Sequence, residues 1–285
     1  MAAIVVAIAA VSTSAILIRL SHAPSIVKAF YRALFMSLFV LPFAFEYRGE
    51  FREISGRDWG FALLSGLALA LHFAVWFESL EWTSVAASVT LVQTQPIFVV
   101  VAAWMLLEEE LNARLVAGIL VSLLGSVVMS GSGLLGVGAV GKDPFLGNLL
   151  ALAGAVMAAG YVLAGRSLRQ RLSLFPYVIV VYSVSAVVLG GIVAIQGHPF
   201  LGYPPREWVL FVAMALGPGI VGHTVINWAL KYVESSVVSV SLLGEPVGST
   251  LLALIIFEEV PGLFTVVGGV VVLVGIFVTS RARST

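Results

Sequence analysis

Residues 241–259 read SLLGEPVGSTLLALIIFEE, a nearly continuous apolar stretch that carries Glu245 and Pro246 side by side. Its length is close to the ~20 residues that a helix needs to cross the hydrocarbon layer of a membrane. In lipid the backbone must satisfy its own hydrogen bonds, so a helix is expected in spite of the β-branched residues. A charge and a helix breaker are both costly there. The stretch therefore predicts a membrane helix that keeps a charge and a bend for a reason.

The rest of the chain has the same apolar character. Of its 285 residues 60% are hydrophobic and 11% are charged, whereas soluble domains carry about 25% charged residues. The apolar runs are continuous rather than alternating, which disfavours an outer-membrane barrel. The sequence predicts an all-α integral membrane protein with ten transmembrane helices, at about 2–20, 25–46, 59–79, 84–107, 113–131, 145–165, 176–196, 208–230, 236–257 and 262–280.

Charge and cysteine content exclude several classes of function. Lys and Arg together number 15, as do Asp and Glu, and the basic residues form no tract. Nucleic acid is therefore not expected as a partner. Cysteine is absent, which excludes disulfides and thiolate metal sites. The segment GVGAVGKD at 136–143 resembles a phosphate loop, but it has Asp143 where Ser or Thr is needed, and we interpret it as a linker.

Basic residues in the connecting segments predict the orientation, because cytoplasmic loops are enriched in Lys and Arg. The first run has no basic residue before its apolar core, so we expect it to be a mature span rather than a signal peptide. With both termini in the cytoplasm, the cytoplasmic side holds Arg48, Arg52, Arg57, Arg114, Arg166, Arg169, Arg171, Lys231, Arg281 and Arg283, and the other side holds Arg19, Lys28, Lys142 and Arg206. The predicted location is the inner (plasma) membrane.

The opening stretch has a counterpart at 90–110, TLVQTQPIFVVVAAWMLLEEE, 150 residues earlier. This offset aligns Pro96 with Pro246, Glu108 with Glu258, Gly118 with Gly268 and Gly125 with Gly275. The repeat spans five helices, and because five is odd, the second half enters the membrane in the opposite direction. Such inverted-topology repeats are typical of secondary transporters. We expect a first repeat at 1–140 and a second at 141–285, which together form one transport domain.

These features carry a resemblance to a known family. Ten spans in two halves, a proline midway along each fourth span, and the segments LLEEEL (106–111), IFEEVPG (256–262) and RALF (32–35) resemble the drug/metabolite transporter superfamily. The EamA-type exporters, which carry amino acids and related metabolites, are the most similar group. The resemblance extends over essentially the whole chain. It implies a substrate cavity at the centre of the molecule, lined by helices from both halves.

Polar and aromatic side chains inside the spans are the candidates for binding, because polar groups in lipid normally face a cavity or a partner. Several are spaced to share one helix face. A cavity with aromatic walls and a few amide and imidazole groups suits a small zwitterionic or aromatic solute. The candidate cavity residues are His72, Trp76, Gln93, Tyr161, His223, Asn227, Ser241 and Glu245.

Each candidate has a structural alternative. The two histidines, His72 and His223, could hold helices together through hydrogen bonds; no Cys or acidic ligand accompanies them, so no metal site is predicted. Tyr161 and Trp76 could be packing aromatics. Arg32 could extend its side chain to the membrane surface, or it could contact a substrate carboxylate.

Glu245 is the candidate of greatest interest. An unpaired carboxylate in lipid would take up a proton, so Glu245 could couple transport to protons or neutralise a substrate ammonium. Alternatively, it forms a hydrogen bond between helices. Pro246 and Pro96 each free the carbonyl four residues earlier and are expected to bend their helices. The counterpart of Glu245 in the first half is the uncharged Gln95.

The sequence thus predicts a secondary transporter that exports small metabolites, most simply amino acids or related compounds, by alternating access around a midplane cavity. Substrate or proton gradients would supply the energy, and no cofactor is expected. A multidrug, nucleoside or nucleotide-sugar carrier is the alternative. A lipid-modifying enzyme is disfavoured, because Asp occurs only at 58 and 143 and no catalytic motif is present. The expected partners are the small-molecule substrate and the bilayer, and the protein is expected to be a monomer or a homodimer.

Overall fold

The computed structural model describes residues 2–83, 85–107, 112–129, 142–257 and 263–281, which are almost entirely helical and contain no strand. The described helices are α1 (Ala2–Leu20), α2 (Ser25–Glu46), α3 (Gly56–Trp82), α4 (Val85–Val92), α5 (Gln95–Leu107), α6 (Ala113–Met129), α7 (Pro144–Arg169), α8 (Leu174–Ile195), α9 (Pro205–Met214), α10 (Val225–Ala229), α11 (Ser235–Ser241), α12 (Glu245–Phe257) and α13 (Leu263–Arg281).

The ten predicted passes are present. Seven helical stretches are at least 18 residues long and apolar enough to cross a membrane, and three shorter apolar helices are found at Gln95–Leu107, Ala113–Gly125 and Val266–Val278. The prediction of an all-α membrane protein with ten passes is confirmed. The acidic segments 108–110 and 258–259, most of the linker at 136–143, and the expected boundary at 140/141 lie outside the described residues.

The helix ends follow from local side-chain chemistry. The Ser55 side chain accepts a hydrogen bond from the Asp58 backbone N–H (3.1 Å) and caps α3. Asp143 caps α7 in the same way through the N–H of Leu146 (3.1 Å). After α8, Gly197 adopts a φ of 72°, a left-handed conformation that other residues rarely adopt. These caps explain why α3 begins three residues, and α7 one residue, before the predicted apolar runs.

The fourth and ninth passes are both interrupted shortly before a proline, Pro96 in the fourth and Pro246 in the ninth. A turn at residues 93–94 separates α4 from α5, and a 3₁₀ segment at Leu242–Gly244 separates α11 from α12. Shifted by 150 residues, the second break falls on positions 92–94, so the two interruptions are equivalent. Because proline cannot donate the hydrogen bond of a regular helix, each of these passes loses one backbone donor at an equivalent position.

The eighth pass has an irregularity without a counterpart. Between α9 and α10, residues Ala215–Thr224 form a π-helix that contains Pro218. The equivalent residues of the first half, 65–74, lie within the uninterrupted helix α3. Insertions of π-helix are frequent at functional sites, and this one carries His223. The third and eighth passes occupy equivalent places in the two halves, but only the eighth carries its histidine on a π-helix.

Helices α6 and α13 cross at two glycines, Gly125 and Gly275, each of which lies against the backbone of the other helix. A β-carbon at Gly125 would lie 2.6 Å from the Val272 nitrogen, and one at Gly275 would lie 2.7 Å from the Gly118 carbonyl oxygen. The Ser122 hydroxyl donates to the Val272 carbonyl (3.3 Å), exactly 150 positions away in sequence. This reciprocal pattern is what a local two-fold axis produces, and it requires the absence of side chains at the crossing.

We expect Gly125→Val to destabilise the protein by about 1–3 kcal/mol, because the added methyl groups would force the two backbones apart. The measurement is the melting temperature of the purified protein in detergent. Gly191→Val is the matched control, since a β-carbon at that helical glycine meets nothing within 4 Å. Equal melting temperatures for the two variants would contradict the close crossing.

Candidate substrate-binding cavity

A cavity lies at the centre of the bundle, where the interrupted fourth and ninth passes meet the π-helix of the eighth. Its free volume is about 60 Å³, room for a few water molecules. Charged, aromatic and apolar side chains all contribute to its wall. The lining residues are Val11, Ser14, Arg32, His72, Trp76, Val92, Gln93, Gln95, Ala158, Tyr161, Val162, His223, Ile226, Leu242 and Glu245.

Most of the residues predicted for the site meet here, although they come from six different passes. Those that line the cavity are Arg32, His72, Trp76, Gln93, Tyr161, His223 and Glu245. Pro96 and Pro246 directly follow the lining residues Gln95 and Glu245 in sequence, next to the two helix breaks.

Two predicted cavity residues are turned away from it. Asn227 is fully buried behind Tyr161, and its amide nitrogen donates to the Tyr161 hydroxyl and to the His223 carbonyl (2.8 Å). The Ser241 hydroxyl donates to the carbonyl of Val237 in its own helix (2.8 Å). Asn227 is placed to hold Tyr161 and His223 in position, whereas the Ser241 side chain forms a hydrogen bond only within its own helix.

Arg32 is buried inside the bundle, with 1% of its surface exposed, and does not extend to the membrane surface. One terminal nitrogen, Nη1, donates to the Ser14 hydroxyl (2.8 Å). The guanidinium lies over the Phe73 ring, 4.5 Å from its centroid, a favourable cation–π position. Its Nε has no hydrogen-bond partner among the described residues. Arg32 therefore lines the cavity and keeps one donor without a partner among the described residues.

Glu245 is held at the helix break by the first half of the chain. The Gln93 amide donates to its Oε2 at 3.0 Å, and the Ser12 hydroxyl donates to its backbone carbonyl at 3.3 Å. The break before Pro246 thus places the carboxylate in the wall of the cavity instead of in lipid. Gln95, the counterpart of Glu245, donates to Ser239 at 3.4 Å.

The two charged groups face the same cavity without pairing. In the part of the chain that the structure describes, no nitrogen of Arg32 lies within 4 Å of a Glu245 oxygen, since the ion pairs found there join other residues. Ser14 holds one group and Gln93 holds the other. Opposite charges in a low-dielectric cavity attract strongly, so separate anchors keep both available for a ligand.

An aromatic wall completes the cavity. The His72 ring stacks on Trp76 with centroids 5.7 Å apart and planes inclined by 13°. Its Nδ1 lies 2.9 Å from the Gly154 carbonyl, which can only accept, so Nδ1 carries the proton and Nε2 is left for other contacts. Trp76 Nε1 and His223 Nδ1 are buried without a partner among the described residues. The wall therefore combines the flat faces of aromatic rings with polar atoms that have no hydrogen-bond partner among the described residues.

Comparison with known proteins matches this fold and cavity to one family, the EamA-like transporter family, over residues 1–131 and 145–281. The chain belongs to this family. As an EamA-like transporter it is a multi-pass membrane protein, in agreement with the resemblance noted in its sequence.

Individual relatives of this EamA-like transporter are distant. An uncharacterized transporter of Archaeoglobus fulgidus is 26% identical over 264 residues, which cover 90% of this chain and 87% of the relative. A pseudopaline exporter of Pseudomonas aeruginosa is 25% identical over 227 residues, 78% of this chain and 75% of the relative. A protein of known crystal structure superposes with a TM-score of 0.78 at 21% identity and covers 99% of this chain and 98% of its own. That likeness shows the fold.

Ser14 and Gln95 belong to the lining of this EamA-like transporter but were not among the predicted cavity residues. Ser14 is one of three successive hydroxyl residues, 12–14, in an otherwise mostly apolar helix, and the sequence alone does not show which of them points inward. A signal for the π-helix does exist: Pro218 and its neighbouring glycines interrupt the eighth apolar run, and such interruptions point to binding sites in transporters. The described residues contain no cluster of three or more potential metal ligands.

Proposed function

We propose that the protein is a secondary carrier that exports small zwitterionic metabolites of the amino-acid class by alternating access around the central cavity. The observation that carries this proposal is that Arg32 and Glu245 line one cavity, are anchored separately and do not pair with each other. An amino acid has the complementary arrangement, a carboxylate and an ammonium attached to the same carbon atom.

The chemistry of the wall assigns a place to each part of the solute. The carboxylate accepts from the free Arg32 donor, which forms a strong charge-assisted hydrogen bond. The ammonium donates to Glu245, which lines the same cavity. The side chain of the solute lies against the stacked rings of His72 and Trp76. Bound in this way, the solute places an opposite charge against each of the two buried groups, which form no close ion pair with each other.

The size of the cavity supports a cycle with a closed state. A free volume of about 60 Å³ holds only a few waters, so a solute with a bulky side chain needs the helices to separate. The interruptions before Pro96 and Pro246 and the π-helix at 215–224 lie at the cavity and provide places to bend. We infer that the structure represents the carrier with its central site contracted.

Two inverted halves are the natural basis for alternating access. The equivalent helix breaks and the reciprocal crossing of α6 and α13 support a division at 140/141 into two five-helix repeats of opposite direction. The excess of basic residues in the connections predicts cytoplasmic termini in the plasma membrane. Export is the direction consistent with the relative named as a pseudopaline exporter.

Counterflow into proteoliposomes tests the proposal. Vesicles are loaded with single unlabelled amino acids, nucleosides or carboxylate-free cationic drugs, and accumulation of the labelled compound is followed. We expect accumulation for at least one amino acid and none for the cationic drugs. Accumulation of drugs or nucleosides alone would favour the alternative carrier classes, and no accumulation of any solute would contradict a carrier of this kind.

Trp76, which lines the cavity, can be compared with Asn227, which is buried outside the lining and holds lining residues in position. Trp76→Ala should raise KM for the transported amino acid by about tenfold, because stacking and apolar contact are lost. Asn227→Ala should lower the melting temperature, since it leaves the Tyr161 and His223 partners unsatisfied in a buried site. The measurements are counterflow kinetics and thermal unfolding of both variants. Equal effects of the two substitutions on KM would contradict this division of roles.

A further inference from the structure

A second chamber lies at the end of the bundle where α2 begins and α3 ends, the predicted non-cytoplasmic side. Its volume is about 420 Å³, and unlike the central cavity it is lined mainly by polar and charged groups. Cations and carboxylates both contribute. The charged or aromatic lining residues are His22, Lys28, Glu78, Glu81, Trp82 and Lys142. A chamber with both charges suits the same kind of solute as the central cavity.

Lys28 is the deeply buried cation of this chamber, with 3% of its surface exposed. Its ammonium lies 3.4 Å from the carbonyls of Ile18 and Ser21 and 3.8 Å from Glu81 Oε1. These distances exceed the 2.7–3.2 Å of good N–H···O hydrogen bonds. Glu81 is also half exposed and accepts from Ser25 at 3.3 Å. The buried charge of Lys28 is therefore only loosely satisfied by the protein.

Lys28 and Arg32 are four residues apart on α2 and so share one face of that helix. The helical rise separates them by only about 6 Å along the axis. Arg32 lines the central cavity and Lys28 lines the outer chamber. Helix α3 also reaches both spaces, since Trp76 contributes to the first and Glu81 to the second. One helix face thus carries two cations in succession from the centre toward the outer end.

We propose that Lys28 is a second binding point for the carboxylate of the exported solute, which passes from Arg32 to Lys28 on its way out. The inference rests on the proposed function, because it requires a carboxylate-bearing solute in the central cavity. At Lys28 the incoming carboxylate replaces the three long contacts of the ammonium with a short charge-assisted hydrogen bond. The carboxylates of Glu78 and Glu81 receive the ammonium of the solute in the same chamber.

The absence of cysteine from the chain allows a test by single-site chemistry. Lys28→Cys introduces the only thiol, and treatment with 2-aminoethyl methanethiosulfonate then attaches a side chain that ends in an ammonium. Methyl methanethiosulfonate attaches a neutral group instead. The matched control is Lys231→Cys, at an exposed lysine that lies over the Tyr232 ring at 5.9 Å and lines neither this chamber nor the central cavity. Efflux of a labelled amino acid from proteoliposomes and its equilibrium binding are both measured.

We expect Lys28→Cys to slow efflux about tenfold, as a lost charged hydrogen bond implies, while binding at the central site changes less than about twofold. The cationic adduct should restore efflux and the neutral adduct should not. Lys231→Cys should retain the rate of the unmodified protein with either adduct. If Lys28→Cys does not fold, Lys28→Arg, which keeps the charge, and Lys28→Gln, which removes it, give the same comparison.

Two results would overturn the inference, and they differ from failure of the proposed function. Unchanged efflux by Lys28→Cys, or equal recovery with the neutral and cationic adducts, would contradict a carboxylate site at Lys28 while leaving the central site intact. If the unmodified protein neither binds nor transports any amino acid, the proposed function fails and the second site fails with it.

Discussion

Arg32→Gln should lower kcat/KM for transport of the amino acid by at least about 30-fold in the counterflow measurement. A loss of this size is expected when one partner of a desolvated charge pair is truncated. The guanidinium is the buried cation of the central cavity, and its Nε has no protein partner among the described residues. Glutamine keeps a polar group of moderate length but supplies no charge for the solute carboxylate. Initial rates at several concentrations separate the effects on KM and kcat.

Arg32→Lys is the matched control, because it keeps the charge and loses the second donor and the planar group over Phe73. We expect it to retain partial activity. Melting temperatures of both variants show whether the loss of the contacts with Ser14 and Phe73 weakens the fold instead. Full transport by a folded Arg32→Gln protein would mean that the substrate carboxylate is bound elsewhere.

Glu245→Gln should raise KM for the amino acid by about tenfold or more, because a neutral amide cannot replace the charge-assisted bond to the ammonium. The same substitution should flatten the dependence of KM on pH. In the unmodified protein the carboxylate must be ionised to hold the ammonium, so affinity weakens as the pH falls and Glu245 takes up a proton. The measurement is KM at a series of pH values in proteoliposomes with equal pH on both sides.

The other titratable groups of the cavity set the control for this experiment. His72, His223 and Tyr161 line the same cavity as Glu245 and Arg32, so they are the cavity groups that can produce any pH dependence that remains in Glu245→Gln. Gln93→Leu removes the anchor of the carboxylate without removing its charge, and we expect it to keep a pH-dependent KM. A Glu245→Gln protein with an unchanged pH profile and normal affinity would leave the carboxylate with a purely structural role.

The passes of the bundle could be predicted from the sequence because their determinants are local. Apolar length decides that residues 2–20 or 176–196 cross the membrane. Proline decides where the fourth and ninth passes break, since the loss of one backbone donor does not depend on distant residues. The relation between the breaks at 93–94 and 242–244 was visible as an offset of 150 in the sequence.

The sequence predicts only in part which side chains point into the central cavity. Arg32 and Glu245 are charged, and burial of a charge in lipid is so costly that a cavity is the natural place for both. Asn227 and Ser241 are polar but uncharged, and each finds a partner inside the protein instead. Helices that are apolar on all sides give no pattern that shows which face turns inward. For the same reason Ser14, the partner of Arg32, could not be assigned.

The most direct test of the central claim is equilibrium binding of three related compounds to the purified protein: a transported amino acid, the amine that lacks its carboxylate, and the N-acetyl derivative that lacks its ammonium. Because Arg32 and Glu245 are anchored apart in one cavity, we expect the amino acid to bind at least about tenfold more tightly than either derivative. Equal binding of the amino acid and of either derivative would contradict recognition of a zwitterion between these two residues.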